Sequence, residues 1–307
     1  MTLSELKYIV ALARERHFGR AAESCFVSQP TLSVAVKKLE DELGVALFER
    51  GKTEVSLTPA GARIVEQAQQ VLEAVEGIRQ TARQQVDPLH GALRLGAIYT
   101  VGPYLLPYLI PALHEAAPRM PLVIEENFTA ALRRQLKQGE LDAILISLPF
   151  AEPGITVLPL YEEPFVAVVP TAHPWSRRET IVLGDLATDN LLLLGPGHCF
   201  HDQVLQCCPE CSRTADDGPE RRTLLAGSSL ETLRHMVASG MGVTVLPCTA
   251  TAADRYAQRL LTIRRLEQPV PMRRIALAWR SSFPRPRAVE AIAQAIRAAP
   301  MSCVRFL

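Results

Sequence analysis

No apolar run in this 307-residue chain reaches the roughly 18 residues that a helix needs to cross a bilayer. The opening stretch, MTLSELKYIVALARERHFGR, sets Glu5, Lys7 and Arg14 inside its apolar pattern, so it reads as neither a signal peptide nor a span. The expected protein is cytoplasmic, with no membrane partner. An excess of charge is also missing. Lys and Arg number 33 against 32 Asp and Glu, and within residues 1–60 eight basic residues meet eight acidic ones, so charge alone makes no case for nucleic acid. A second C-x2-C is lacking too. The one present, CPEC at Cys208–Cys211, lies in GPGHCFHDQVLQCCPEC, which holds four of the seven cysteines. What remains is an ordinary soluble composition, 48% apolar and 21% charged, long enough for two or three domains.

The first sixty residues read as short helices. SELKYIVALARER carries Leu6, Ile9, Val10 and Leu12 at helical spacing behind Ser4 as a cap, and GRAAESCF gives a second helix with small Ala21 and Ala22. In VSQPTLSVAVKKLEDELG, Ser28 caps, Pro30 suits the first turn and Gly44 stops the helix, with Leu32, Ala35, Val36, Leu39 and Leu43 as its inward stripe. Short helix, tight turn and longer helix make a helix-turn-helix, and the extended runs about Gly51 in LFERGKTEVSLTPAG make a wing. On pattern alone a helical bundle with no DNA partner fits equally well. What favours DNA is placement. Ser28, Gln29, Pro30, Thr31 and Ser33 form the first turns of the third helix, where short polar groups meet base edges and phosphates, and Lys37, Lys38, Arg50 and Lys52 flank them as phosphate contacts.

Thr58-Pro59 opens a long helix whose Ile64, Ala68, Val71, Leu72, Val75 and Ile78 form an apolar seam, the mark of a linker through which two copies dimerise. Asp87-Pro88 closes it. From residue 90 strands and helices alternate: GALRLGAI, PYLLPYLIPALHEAAP, PLVIEENF, ALRRQLKQGE, LDAILISL and FVAVVP, then a helix in GSSLETLRHMVASG with a capping box of Ser228 and Glu231. The alternation predicts parallel sheets with crossovers, in two small α/β subdomains facing a cleft. The expected division is 1–58 winged helix-turn-helix, 59–89 linker helix, and 90–307 effector domain. Its first subdomain covers about 90–162 and 268–300 and its second about 163–267.

Structural disulfides are rare in the cytoplasm, so the cysteine cluster reads as a metal cage or a reactive thiol before it reads as a staple. Cys199, His198, His201 or Cys207 can complete a tetrahedral site around CPEC, and on the residues alone zinc and redox sensing stand level. Cys25 and Cys248 read as small buried apolar residues, and Cys303 as part of a frayed tail. If Phe200–Cys208 is helical, Cys199 and Cys208 lie about 13 Å apart, beyond the roughly 7 Å a disulfide allows, so a bridge between them requires local unravelling.

FGRAAESCFVSQPTLSVAVKKLEDELGVALFER followed by LTPAG resembles the N-terminal domain of LysR-type transcriptional regulators, and the order of parts resembles that family over nearly the whole chain. The resemblance implies an effector domain similar to periplasmic binding proteins. TVGPYLLPYLIPALHEAAP, GHCFHDQ and SLETLRHMVASGMGVTVLP resemble the hydrogen-peroxide-sensing activators of the family. For that group the resemblance implies Cys199 as the peroxidatic thiol, Cys208 as its resolving partner, and Thr100, Thr129, His198 and Asp202 around the peroxide. It implies an operator in double-stranded DNA, RNA polymerase recruitment, a dimer of dimers, resetting by thiol reductants of glutaredoxin or thioredoxin type, and neither cofactor nor resident metal. Cys207 and Cys211 flank the resolving position and leave Cys207 as a competing partner. Two other readings remain: a regulator of the same architecture that binds a metabolite or metal ion, and a thiol peroxidase, for which the helix-turn-helix has no use.

Overall fold

The computed structural model describes residues 1–50, 55–83, 89–213, 226–251 and 259–307. Three helices come first: α1 (Leu3–Glu15), α2 (Phe18–Ser24) and α3 (Gln29–Leu43). The cap of α1 is Thr2, not Ser4. Its hydroxyl accepts from the Glu5 amide at 3.2 Å while the Glu5 carboxylate accepts from the Thr2 amide at 2.7 Å, a capping box two residues ahead of the expected cap. The His17 ring caps α2 by accepting from the Gly19 and Arg20 amides. Around α3 the expected signals act as read. Ser28 accepts from the Thr31 amide, Pro30 sits in the first turn, and Gly44 takes the left-handed conformation at φ 68°. Leu32, Val36 and Leu39 reach the first domain's core, but Leu43 lies at the exposed end of the helix and does not join the stripe.

The wing strands are β1 (Phe48–Arg50) and β2 (Val55–Leu57), paired antiparallel. Gly51 and Lys52 fall outside the described residues. The long helix α4 (Pro59–Arg83) starts where Thr58 accepts from the Gly61 amide at 2.8 Å. Gly61 is required there, since a Cβ would lie 2.0 Å from the Leu47 carbonyl oxygen. The seam of α4 divides. Ile64, Ala68 and Leu72 pack on the core of their own winged domain, whereas Val71 and Ile78 remain exposed. The remainder of the 59–89 linker, residues 84–88, lies outside the described residues.

The effector region follows as β3 (Leu93–Ile98), α5 (Gly102–Ala116), β4 (Leu122–Asn127), α6 (Thr129–Lys137), β5 (Ala143–Ser147), β6 (Ile155–Pro170), β7 (Thr180–Ile181), β8 (Leu191–Leu194), α7 (Cys199–Cys207), α8 (Pro209–Arg213), β9 (Ala226–Gly227), α9 (Leu230–Ala238), β10 (Val243–Pro247), β11 (Leu261–Leu266), β12 (Met272–Arg280), α10 (Pro286–Arg297) and β13 (Arg305–Phe306). The sheet is mixed rather than parallel. The β3–β4, β3–β5, β8–β10 and β8–β9 pairs are parallel, but β6 and β12 run back along the sheet and make antiparallel ladders with β5, with β10 and with each other. FVAVVP, read as a separate strand, is the end of the 16-residue β6. Pro159 and Pro164 concealed its length, because a proline inside a run argues against a strand; here a register shift in the β6–β12 pairing opposite Pro159 accommodates the missing donor.

Two apolar cores meet along β6. One gathers Leu95, Ile144, Leu160, Leu277 and Ile292, and the other Phe165, Val168, Leu193, Phe200 and Leu233. The first is tied to α4. The Glu73 carboxylate accepts from Arg280 and from Ser282, and the Lys137 ammonium lies 3.6 Å from Glu66. The cap of α9 is Ser229, whose hydroxyl accepts from the Thr232 amide at 3.1 Å, not Ser228, and Glu231 is released for another partner. The chain's end is likewise ordered where fraying was expected: Cys303 is bonded to Cys248, and β13 pairs with β6.

Candidate functional site

Three loop-to-helix junctions converge at the cleft. Tyr99 and Thr100 follow β3, Phe128 and Thr129 follow β4, and His198 and Cys199 open α7. Their aromatic members touch edge to face: Phe128 to His198 at 4.7 Å between ring centroids, Tyr99 to Phe128 at 5.3 Å and Tyr99 to His198 at 5.9 Å. Each aromatic ring immediately precedes one of the expected site residues, so the trio gathers Thr100, Thr129 and Cys199 into one neighbourhood. Of the trio, only His198 was named from the sequence; Tyr99 was not singled out, and Phe128 stood there only as the end of the strand PLVIEENF.

Thr100 is buried and fixed. The Arg273 guanidinium donates to its hydroxyl and to its carbonyl oxygen, both at 2.8 Å, and donates at 2.7 Å to Glu163, whose other oxygen accepts from Thr249 at 2.6 Å. Arg273 also lies 5.1 Å above the Phe200 ring, beside Cys199 in the chain. Thr129 is not a helix cap. Phe128 takes that position, and the Thr129 hydroxyl is buried with no hydrogen-bond partner among the described residues. A buried hydroxyl left unmatched is uncommon and marks a place where a small polar ligand gains hydrogen bonds.

His198 is buried, and burial, with a lesser contribution from His201, lowers its pKa. It therefore stands as neutral imidazole at neutral pH, able to donate from one ring nitrogen and accept at the other. The His201 ring is held elsewhere, by the Leu194 carbonyl at 2.7 Å. Cys199 is half-buried, carries a free thiol and packs on the first core. As the first residue of α7 it lies beside backbone amides that a helix cannot satisfy internally. Asp202 is on the exposed side of the first turn, outside the aromatic cluster.

Two contacts across the cleft were not foreseen. Gln203 donates to the Ser147 hydroxyl at 2.9 Å and to the Leu148 carbonyl at 3.3 Å, joining α7 to the end of β5. The Tyr104 hydroxyl donates to Glu231, and burial, together with that carboxylate, raises the tyrosine pKa. Glu126, close by, is likewise pushed up by burial and by Glu231. Gly102 lies against the Glu126 carboxylate, and a Cβ there would displace its Oε1.

Cys208 follows α7 as its C-cap and is bonded to Cys211, with Cα atoms 5.5 Å apart. Both are buried in the second core. The staple assigned least weight in sequence thus occurs twice, here and at Cys248–Cys303. Cys248 is buried, as read, but is paired rather than merely apolar. Cys25 and Cys207 are free thiols, and burial pushes the Cys207 thiol up. Among the described residues no three His, Cys, Asp or Glu side chains converge to hold a metal ion.

On the first domain, Ser28, Gln29, Pro30 and Thr31 are exposed at the start of α3 and Ser33 is half-buried. Lys37 is exposed, while Lys38 reaches back to Glu5 at 3.4 Å, and the Arg50 side chain lies outside the described residues. Phe26, missed in sequence, is 95% exposed in a left-handed turn before α3, an uncommon conformation for an aromatic residue.

Residues 3–62 match the family model of the bacterial regulatory helix-turn-helix protein, lysR family, and residues 87–300 match the LysR substrate binding domain. The DNA-binding transcriptional dual regulator OxyR of Escherichia coli strain K12 is 42% identical over 298 residues, 97% of this chain and 95% of that protein. Among solved structures, full-length OxyR C199D from Pseudomonas aeruginosa is 55% identical, with a TM-score of 0.86 over 98% of this chain and 96% of that one. The reduced form of the OxyR regulatory domain from the same organism is 52% identical, with a TM-score of 0.62 over 68% of this chain and 98% of that one.

Proposed function

The chain belongs to the LysR family of bacterial transcriptional regulators, and from that premise we propose that it is a hydrogen-peroxide-sensing, DNA-binding regulator switched by its own thiols. Relatives at 41% identity over 97% of the chain carry the name hydrogen peroxide-inducible genes activator. The observation that carries the reading within this chain is the convergence of Thr100, the unmatched Thr129 hydroxyl, neutral His198 and the free Cys199 thiol at one cleft.

The chemistry follows from those groups. The Cys199 thiolate attacks one peroxide oxygen, the O–O bond breaks, and hydroxide leaves and takes a proton to become water. Thr129 and His198 hold the peroxide and stabilise the leaving oxygen, while Arg273 fixes Thr100. The Cys208 thiol then attacks the Cys199 sulfur, a second water leaves, and a Cys199–Cys208 disulfide forms. Because α7 holds the two sulfurs apart, that bond requires α7 to unravel, and the unravelled segment changes how subunits meet. Asp202, the fourth residue that the resemblance sets around the peroxide, is kept in the proposed set from the exposed first turn of α7. The division 1–58, 59–89 and 90–307, with subdomains exchanging near 162 and 268, belongs to the same proposal.

No helix among the described residues is long and apolar enough to cross a membrane. We place the regulator in the cytoplasm, acting on operators as a dimer of dimers, recruiting RNA polymerase and reset by dithiol reductants, with no catalytic turnover in its role. Peptide mapping tests the core of this reading. Full-length protein, first reduced, receives one equivalent of peroxide and is acid-quenched within seconds; a Cys199–Cys208 bridge is expected. A Cys199–Cys207 bridge keeps the mechanism and changes the partner, and no bridge at Cys199 overturns it.

DNA reading is assigned to Ser28, Gln29, Pro30, Thr31 and Ser33, with Lys37, Lys38 and Arg50 on phosphates. Thr31→Leu is expected to remove specific operator binding while dimers persist. Arg50→Ala weakens binding to all sequences and lowers the slope of log affinity against log salt by about 0.9. An unchanged slope removes Arg50 from the interface. Assembly is assigned to the exposed part of the α4 seam: Val71→Asp with Ile78→Asp is expected to give a mostly monomeric, folded chain in sedimentation, and a persisting tetramer counts against α4 as the dimer helix.

A further inference from the structure

The peroxide chemistry gives roles to Cys199 and Cys208 and none to Cys211. The structure supplies a reason for the third thiol. Cys208 and Cys211 are joined and buried beside Phe200 and Val204 in the second core, while α7 is complete from Cys199 to Cys207. The Cys208–Cys211 bond is thus compatible with the folded helix. A Cys199–Cys208 bond is not, because the ends of a helical α7 lie about 13 Å apart against the roughly 7 Å limit. Forming it strips Phe200 and Val204, each 2% exposed, from the core. Both bonds use the one sulfur of Cys208, so each excludes the other.

We propose that Cys211 is the thiol that ends the active state of the sensor, a step that rests on Cys199 and Cys208 being the peroxide-driven pair. The Cys211 thiolate attacks the Cys208 sulfur within the Cys199–Cys208 bridge. The Cys211–Cys208 bond forms as the Cys208–Cys199 bond breaks, and the electron pair leaves on Cys199 as its thiolate. No external reductant enters. The two oxidising equivalents of the peroxide pass from the Cys199 bridge to Cys208–Cys211. The balance over all steps is one peroxide and two thiols, those of Cys208 and Cys211, giving one disulfide and two waters.

Geometry favours this direction. Cys211 lies three residues from Cys208, so it stays within reach of that sulfur whether α7 is wound or open. Exchange lets α7 rewind and returns Phe200 and Val204 to the core, and burial of that surface drives the reaction forward. Cys207, the other thiol nearby, is a poorer attacker, since burial pushes it away from the thiolate form. The outcome is a pulse. The active bridge lasts until Cys211 attacks, and the chain then holds a native-like α7 with Cys208 blocked, as in the structure. It cannot form the active bridge again until a dithiol opens Cys208–Cys211.

The test uses full-length protein reduced with dithiothreitol, desalted anaerobically and given one equivalent of peroxide, with aliquots acid-quenched, alkylated and mapped over time. In the wild type the Cys199–Cys208 peptide is expected to rise and then convert to Cys208–Cys211 with a free Cys199. In Cys211→Ser, and in Cys211→Ala, which suits the buried site, the Cys199–Cys208 bridge is expected to last at least tenfold longer, as is any peroxide-induced change in operator binding. Equal lifetimes in all three proteins overturn that role of Cys211 and leave the sensor reading intact. Formation of Cys208–Cys211 at the wild-type rate in Cys199→Ser overturns it too, since the pair then oxidises without Cys199. A Cys199–Cys207 bridge in place of Cys199–Cys208 overturns this inference alone, and no bridge at Cys199 in any protein overturns the sensor reading and this inference together.

Discussion

Cys199→Ser is expected to abolish the peroxide response while the chain keeps its fold and its operator affinity in the reduced arrangement. Serine keeps nearly the same volume at a half-buried position, so little packing is lost. The hydroxyl of serine, however, does not ionise near neutral pH and does not attack peroxide, so the first step has no nucleophile. Cys208→Ser separates the steps. Cys199 still becomes sulfenic acid, trappable by a sulfenate-specific reagent, but no Cys208 bridge follows. Operator footprints with and without peroxide, read beside intact masses, check both variants. A Cys199→Ser protein that still switches its footprint would move the sensor to another cysteine.

The first domain was legible almost residue by residue, because its signals are local. Ser28, Pro30 and Gly44 each act within one turn of where they stand, and the one wrong cap, Ser4 for Thr2, differs by half a turn. The effector sheet was legible as α/β but not in its direction, since antiparallel pairing of β6 with β12 is a matter of residues more than a hundred apart. Only FVAVVP, the part of β6 after Pro164, was read as a strand. The thiols divide the same way. Cys199 could be found from its GHC-x-x-D-Q setting, but no local pattern joins Cys248 to Cys303, which come together only because β13 returns to β6. The Thr100–Arg273–Glu163 network was equally hidden. Arg273 and Glu163 are fully buried charges, rare positions for either residue and comprehensible only as a pair.

That pair carries the second large prediction. Both side chains are inaccessible to solvent, and Arg273 spends three donors on Glu163 and on two atoms of Thr100. Arg273→Met leaves Glu163 buried with, among the described residues, the Thr249 hydroxyl as its hydrogen-bond donor, and removing one partner of a buried ion pair costs about 3–5 kcal/mol. A fall of that size in the stability of the effector region is expected in urea. Arg273→Met combined with Glu163→Gln removes both charges and is expected to recover most of it. Function will not recover with stability, because nothing in the double variant fixes Thr100 beside Cys199, and oxidation of Cys199 by peroxide is expected to stay slow. If the double variant reacts with peroxide at the wild-type rate, Thr100 needs no anchor and the ion pair serves the fold alone. If it is no more stable than Arg273→Met, the cost lies in lost packing over Phe200 and not in the stranded carboxylate.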